Sequence, residues 1–157
     1  MDNDLASRLQ ALADREAIRE LIASYGPLAD AGAADAIAGL WAEDGSYGVG
    51  GMGAATGRTA IAGLIEGPTH QALMAQGCAH LLGPVTIVLD GDRVTARGHS
   101  VVFRHTNAGF EASRVAANRG DLVRGEGGWH VSHRENALLD GTETARALFS
   151  PPSGHRP

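Results

Sequence analysis

Cysteine occurs once in the 157-residue sequence, at Cys78. No disulfide can form within the chain, which suits a reducing compartment. No apolar run approaches the ~20 residues of a membrane span. The opening stretch MDNDLASRLQ is acidic and polar, and no apolar segment follows it, so it does not read as a signal peptide. A cytoplasmic protein is expected. No Lys/Arg-rich stretch is present and the net charge is -5, which argues against a nucleic-acid partner. Aromatics make up only 4%, so each buried ring matters more for pocket shape.

Hydrophobic content of 43% and charged content of 20% are ordinary for a globular protein. The length fits one core. We expect a single domain over residues 1–150 and a loose tail over 151–157, where SPPSGHRP ends the chain.

Helices come first. Leu5, Leu9 and Leu12 suggest a short helix, and Asp14 looks like the N-cap of the next. Ile18, Leu21, Ile22, Tyr25, Leu28 and Ala29 then recur at amphipathic spacing. Pro27 should kink or loosen that helix, and Gly32 should stop it. A second short helix is expected over Asp35–Ala42, a strand within DGSYGVGG, and two short helices in GRTAIAGLIEG and PTHQALMAQG. Four strands follow, at 80–89, 94–105, 110–124 and 129–137, separated by turns at Asp90-Gly91-Asp92, Asn107–Gly109 and Gly125–Gly128. Thr142 is a candidate cap for a last helix. Helices followed by an antiparallel meander give an α+β architecture, a cone whose open end would take a small molecule.

Gly48-Val-Gly-Gly-Met-Gly53 fits G-x-G-x-x-G, but no βαβ unit surrounds it. A lid over a pocket is the better reading. GAATGRT lacks the lysine of a phosphate-binding loop. Strand alternation puts Thr95, Arg97, His99, Val101, Phe103 and His105 on one face, and Phe110, Ala112, Arg114, Ala116 and Asn118 on one face of the next strand. His130 and His133 fall on opposite faces. His70 and His155 read as packed or partly exposed residues.

One combination says more. His80 begins a strand and His105 ends the next, and antiparallel neighbours bring such ends together. With Asn118, Tyr47 and Asp30 they could surround one cavity. On an ideal helix Asp30 lies ~140° from Tyr25, so the Pro27 kink or the helix end must redirect it.

These features resemble the nuclear-transport-factor-2-like (NTF2-like), or SnoaL-like, superfamily of cone-shaped α+β proteins. The resemblance spans roughly Leu5 to Leu148 and rests on IRELIASYGPLADAG, LWAEDGSY, GRTAIAGLIEG, AHLLGPVTIVLDGDRVTARG and GGWHVSHRENALLDG. It is closest to the scytalone dehydratases and bile-acid 7α-dehydratases. The resemblance implies that Asp30 supports a catalytic His80, that His105 is a second pocket histidine, and that Tyr47 acts on a substrate carbonyl. It also implies that Tyr25 and Asn118 bind substrate. Ala29 and Ala116 stand where scytalone dehydratase has a tyrosine and a serine, so the substrate is expected to differ from scytalone. Hexachlorocyclohexane dehydrochlorinases share the Asp/His dyad, which leaves the leaving group open.

The implied activity is a cofactor-independent, metal-free lyase reaction on a small, mostly apolar hydroxylated carbonyl or ring compound. Leu64, Leu73, Met74, Leu82, Val101 and Phe103 would supply an apolar lining. An isomerase of the ketosteroid type and a non-catalytic binding module are the alternatives. An iron site from His80, His105 and Asp30 would lack the usual close ligand pair. Homo-oligomerisation is expected from the open sheet, and the dehydratase branch implies a trimer, with a dimer as the alternative.

Overall fold

The computed structural model describes residues 2–150, so the tail expected at 151–157 lies outside the described residues. The chain opens with one helix, α1, Asp2–Asp30. The expected break at Asp14 does not occur. Asp14 is buried rather than a cap, and accepts hydrogen bonds from Arg124 (3.0 and 2.7 Å), Trp129 Nε1 (3.1 Å) and Gln10 (3.0 Å). The helix also runs through Pro27 and stops at Gly32, whose φ of 67° only glycine adopts freely.

The remaining elements are α2 (Ala34–Gly39), β1 (Trp41–Val49), β2 (Gly53–Thr56), α3 (Arg58–Glu66), α4 (Pro68–Gln76), β3 (Cys78–Asp90), β4 (Arg93–Thr106), β5 (Gly109–Gly125), β6 (Gly128–Leu138) and α5 (Glu143–Ala147). Trp41 and Ala42 belong to β1 rather than to the second helix. The glycine-rich stretch forms the β1–β2 hairpin, so the motif leads into an antiparallel strand rather than directly into a helix. Thr142 occupies the cap position of α5 but makes no side-chain capping bond.

The strands form one open six-stranded sheet in the order β2-β1-β6-β5-β4-β3. Every neighbouring pair is antiparallel except β1 and β6. α1 crosses the concave face, against β3 and β6. Ile18, Ile37, Trp41, Ile61 and Leu122 fill the space between helices and sheet and are fully buried. This is the expected α+β cone. On the opposite face α5 packs on Ala117 and Ala137. Among the described residues, no helix is long and apolar enough to cross a membrane.

Bulges curve the sheet and invert the alternation beyond them. Register breaks between Leu82 and Val85, where Gly83-Pro84 sits. On β5, Ser113 is the extra residue opposite Val102 and Phe103. Phe110 and Ala112 therefore lie on the face opposite Arg114, Ala116 and Asn118, not with them. On β6, Ser132 is extra between Val131 and His133. His130 and His133 consequently share the outer face, contrary to simple alternation.

Candidate active site

The site begins where α1 ends. Gly26 and Asp30 are four residues apart, about 40° around an ideal helix, so both face β3. A Cβ on Gly26 would lie 2.1 Å from the carbonyl oxygen of His80. Only glycine allows helix and strand to approach this closely. Asp30, at the last helical residue, then reaches His80. Its carboxylate accepts the His80 backbone N–H (2.9 and 3.2 Å) and His80 Nδ1–H (2.7 Å). The Cys78 thiol donates to the same carboxylate at 3.5 Å. The ~140° separation from Tyr25 is real, and it aims Asp30 at β3 without any redirection.

A ring that donates from Nδ1 keeps its lone pair on Nε2, and Nε2 has no partner among the described residues. The His80 pKa is lowered, first by burial; Asp30 opposes this, while His70 and Arg134 add to it. The result is a neutral, oriented imidazole at neutral pH, with a free basic nitrogen. His70 lies beside it, ring centroids 5.4 Å apart, and donates Nε2–H to Ala29 O at 2.8 Å. Burial first, and then Asp30, pushes the Cys78 thiol up to about 11.

Asp30, Cys78 and His80 bring ligand-type atoms within 4.8 Å of one another. Their spacing is nevertheless that of hydrogen bonds, 2.7 Å between Asp30 and His80. Two N/O ligands of a tetrahedral zinc, with bonds of about 2.0–2.1 Å, sit roughly 3.3 Å apart. The cluster is a carboxylate serving three donors.

The far wall comes from Tyr25 of α1 and from β1, β4, β5 and β6. Tyr25, Trp41 and Tyr47 contact one another edge-on or tilted, with centroids 5.5–6.3 Å apart. Tyr47 accepts a hydrogen bond from Asn136 at 2.8 Å. Arg134 lies over both tyrosine rings, 4.3 and 4.7 Å from their centroids. It donates to Asn118 Oδ1 (2.8 and 3.2 Å), and Asn118 donates to Ser100 Oγ at 2.7 Å. Burial first, then Tyr47, raises the Tyr25 pKa, so its hydroxyl stays protonated.

Tyr25, Tyr47, Ser100, Arg134 and Asn136 border a cavity of about 400 Å³, within the range of small-molecule sites; Trp41 and Asn118 do not reach it. Tyr25, Leu82 and Arg134 also line a deeper recess of about 50 Å³, which Asn118 borders. His80, Tyr25, Tyr47, Leu82 and Val101 line the larger cavity, as do Leu64 and Leu73. His105 does not. It is three residues beyond Val102, the partner of His80, and so points to the other face, exposed and packed on Phe110. Strand ends met as expected, but pairing register decides which side chains share a face. Phe103, one residue from Val102, and Met74 are not among the lining residues either. His70, Ser100, Arg114, Arg134 and Asn136 were not singled out as site residues, yet all line the cavity. The period-2 spacing of Arg134 and Asn136 was the available signal, together with Arg114 on the face of Asn118.

Fold and cavity together define an NTF2-like α+β cone. The model of the SnoaL-like domain matches residues 10–135, and the chain belongs to that family. It is similar to an NTF2-like protein with a cystatin-like fold from Novosphingobium aromaticivorans, with 58% identity, 95% of this chain and 97% of that chain covered, and a TM-score of 0.93. A Mycobacterium tuberculosis protein of unknown function shares the fold at 23% identity, covering 85% and 75%, with a TM-score of 0.71. So does a Novosphingobium aromaticivorans protein provisionally assigned as a scytalone dehydratase, at 18% identity, covering 82% and 86%, with a TM-score of 0.67. No curated protein matches the chain.

Proposed function

We propose that the cavity is the active site of a cofactor-independent lyase that eliminates water from a hydroxylated carbonyl or ring compound. The observation that carries this reading is the Asp30–His80 pair, 2.7 Å apart, with a neutral imidazole that lines the cavity and whose Nε2 has no partner among the described residues. His80 Nε2 removes the proton next to the carbonyl. Asp30 holds the tautomer and stabilises the imidazolium that forms. Tyr47 and Tyr25, with Arg134 over their rings, face the oxygen on which negative charge develops. The imidazolium then returns its proton to the departing hydroxyl, so one histidine serves as base and acid, and His105 has no part. Asn118 shapes the deep recess through Ser100 and Arg134.

A non-catalytic module would leave Asp30 turned to solvent, more than 5 Å from His80. The observed hydrogen bond favours catalysis. The test is turnover of a panel of β-hydroxy carbonyl compounds, followed by appearance of the conjugated product. His80→Gln should abolish it with ligand binding retained; full activity in that variant would overturn the assignment.

A small-molecule substrate is the proposed partner, alongside further copies of this chain. Leu5, Leu9 and Leu12 on α1 and Phe110 on β5 are 57–68% exposed, apolar surface that self-association would cover. Light scattering should give a trimer.

A further inference from the structure

The cavity carries an unbalanced charge. Arg104, Arg114 and Arg134 line it, and no aspartate or glutamate does, although the chain as a whole is acidic at -5. Arg104 is neutralised by Glu111. The other two are not. Arg134 is only 8% exposed, and its contacts are one amide oxygen and two ring faces. Arg114 donates from Nη2 to Gly50 O at 2.7 Å and to Asn136 Oδ1 at 2.9 Å, both neutral.

A guanidinium withdrawn from water without a counter-ion is costly. Nη1 of Arg134, and Nε and Nη1 of Arg114, bond to nothing among the described residues. They are also not among the side-chain atoms sealed from solvent, so they remain open. The chain has no lysine, so each of its permanently cationic side chains is an arginine. The planar guanidinium fork matches a carboxylate.

We infer that the substrate is an organic anion, its carboxylate seated on Arg114 and Arg134 and its apolar body against Leu64, Leu73 and Val102. This rests on reading the cavity as the substrate site, but not on the elimination chemistry. Asn136 ties the anion site to the reaction site, because it accepts from Arg114 and donates to Tyr47.

The test is calorimetric titration with two unreactive probes of one shape, 2-naphthoate and 2-naphthamide. The acid should bind at least about tenfold more tightly than the amide. Added salt should narrow the gap. Arg114→Gln and Arg134→Gln should each bring the two probes towards parity. Arg114 is only half-buried, so its variant keeps the proposal testable if loss of the ring-stacked Arg134 prevents folding. His80→Gln should keep the preference for the acid, which separates this inference from the reaction. Absent turnover with intact acid preference would count against elimination alone. The inference is overturned if both probes bind equally, if neither binds at millimolar concentration, or if the preference survives Arg114→Gln. Equal binding is also the result expected if the arginines serve only an enolate formed during reaction.

Discussion

Gly26 and His80 meet backbone to backbone, with a virtual Cβ on Gly26 only 2.1 Å from the His80 carbonyl oxygen. Gly26→Ala must therefore push α1 away from β3 and pull Asp30 off His80. Overpacking of this kind costs about 1–3 kcal/mol. The expected result is a lower thermal midpoint together with a loss of activity far greater than the stability change explains. Ala29→Gly, one helical face away, supplies the control: it should lower stability without breaking the dyad. NMR of the His80 Nδ1 proton reads the dyad directly. A Gly26→Ala variant with an unchanged signal would refute the argument.

His80 should impose an acid limb on the rate. The base works when neutral, so kcat/KM rises with pH through its pKa and levels off above it. Burial lowers that pKa below the ordinary 6.5, so the plateau should already be reached below neutrality. Asp30 raises the pKa against burial. Asp30→Asn should then shift the acid limb to lower pH while dropping the plateau by about 10²–10⁴-fold. A limb that moves upward in Asp30→Asn would contradict the assignment. The same lowering favours folding above pH 6.5, where the group is neutral in both states. That contribution is lost as pH falls through the folded pKa, because the unfolded chain binds the proton more readily.

Much of this site was legible in the residues. The order of helices and strands implies the cone, and GCAHLLGP places a histidine near a strand start. Asp30 is harder to read, because relative to Tyr25 its helical angle points it away from the apolar face. The glycine four residues earlier marks a second contact face. His105 shows a different limit. Its distance in sequence from His80 suits a hairpin, but the pairing of His80 with Val102 sets the face, and no composition encodes that offset. The bulges at Ser113 and Ser132 have the same character, since serine is common in any exposed strand. Arg134 was hidden because an arginine on a strand usually faces solvent; here two tyrosine rings cover it.

Asp14 should set the acid stability of the fold. The hydrogen bonds from Arg124, opposed in part by burial and joined by Trp129 and Gln10, lower its carboxyl from 3.8 to about 2. Its contribution is complete above pH 3.8 and disappears as pH falls towards 2, where the folded carboxylate takes up its proton. Asp14→Asn should cost about 2 kcal/mol at neutral pH. It should also flatten the denaturation midpoint against pH over that interval. Urea titrations at stepped pH measure both effects, and parallel curves for the two proteins would remove Asp14 from the account.

Cys78 offers a chemical reporter of the dyad. It is the only cysteine, so thiol labelling is unambiguous. Burial and the Asp30 charge hold its pKa at about 11, which leaves almost no thiolate at pH 8 and predicts slow alkylation by iodoacetamide. Asp30→Asn removes the nearby negative charge and the carboxylate that accepts the S–H. The thiol pKa should fall, and alkylation should speed up by roughly tenfold, the effect of about one pKa unit. A ligand bound in the cavity of the native protein should leave the rate slow, because the thiol is held by Asp30 rather than exposed. Equal rates in native protein and Asp30→Asn would mean that burial alone keeps Cys78 protonated, and that the carboxylate is not shared as its three donors require.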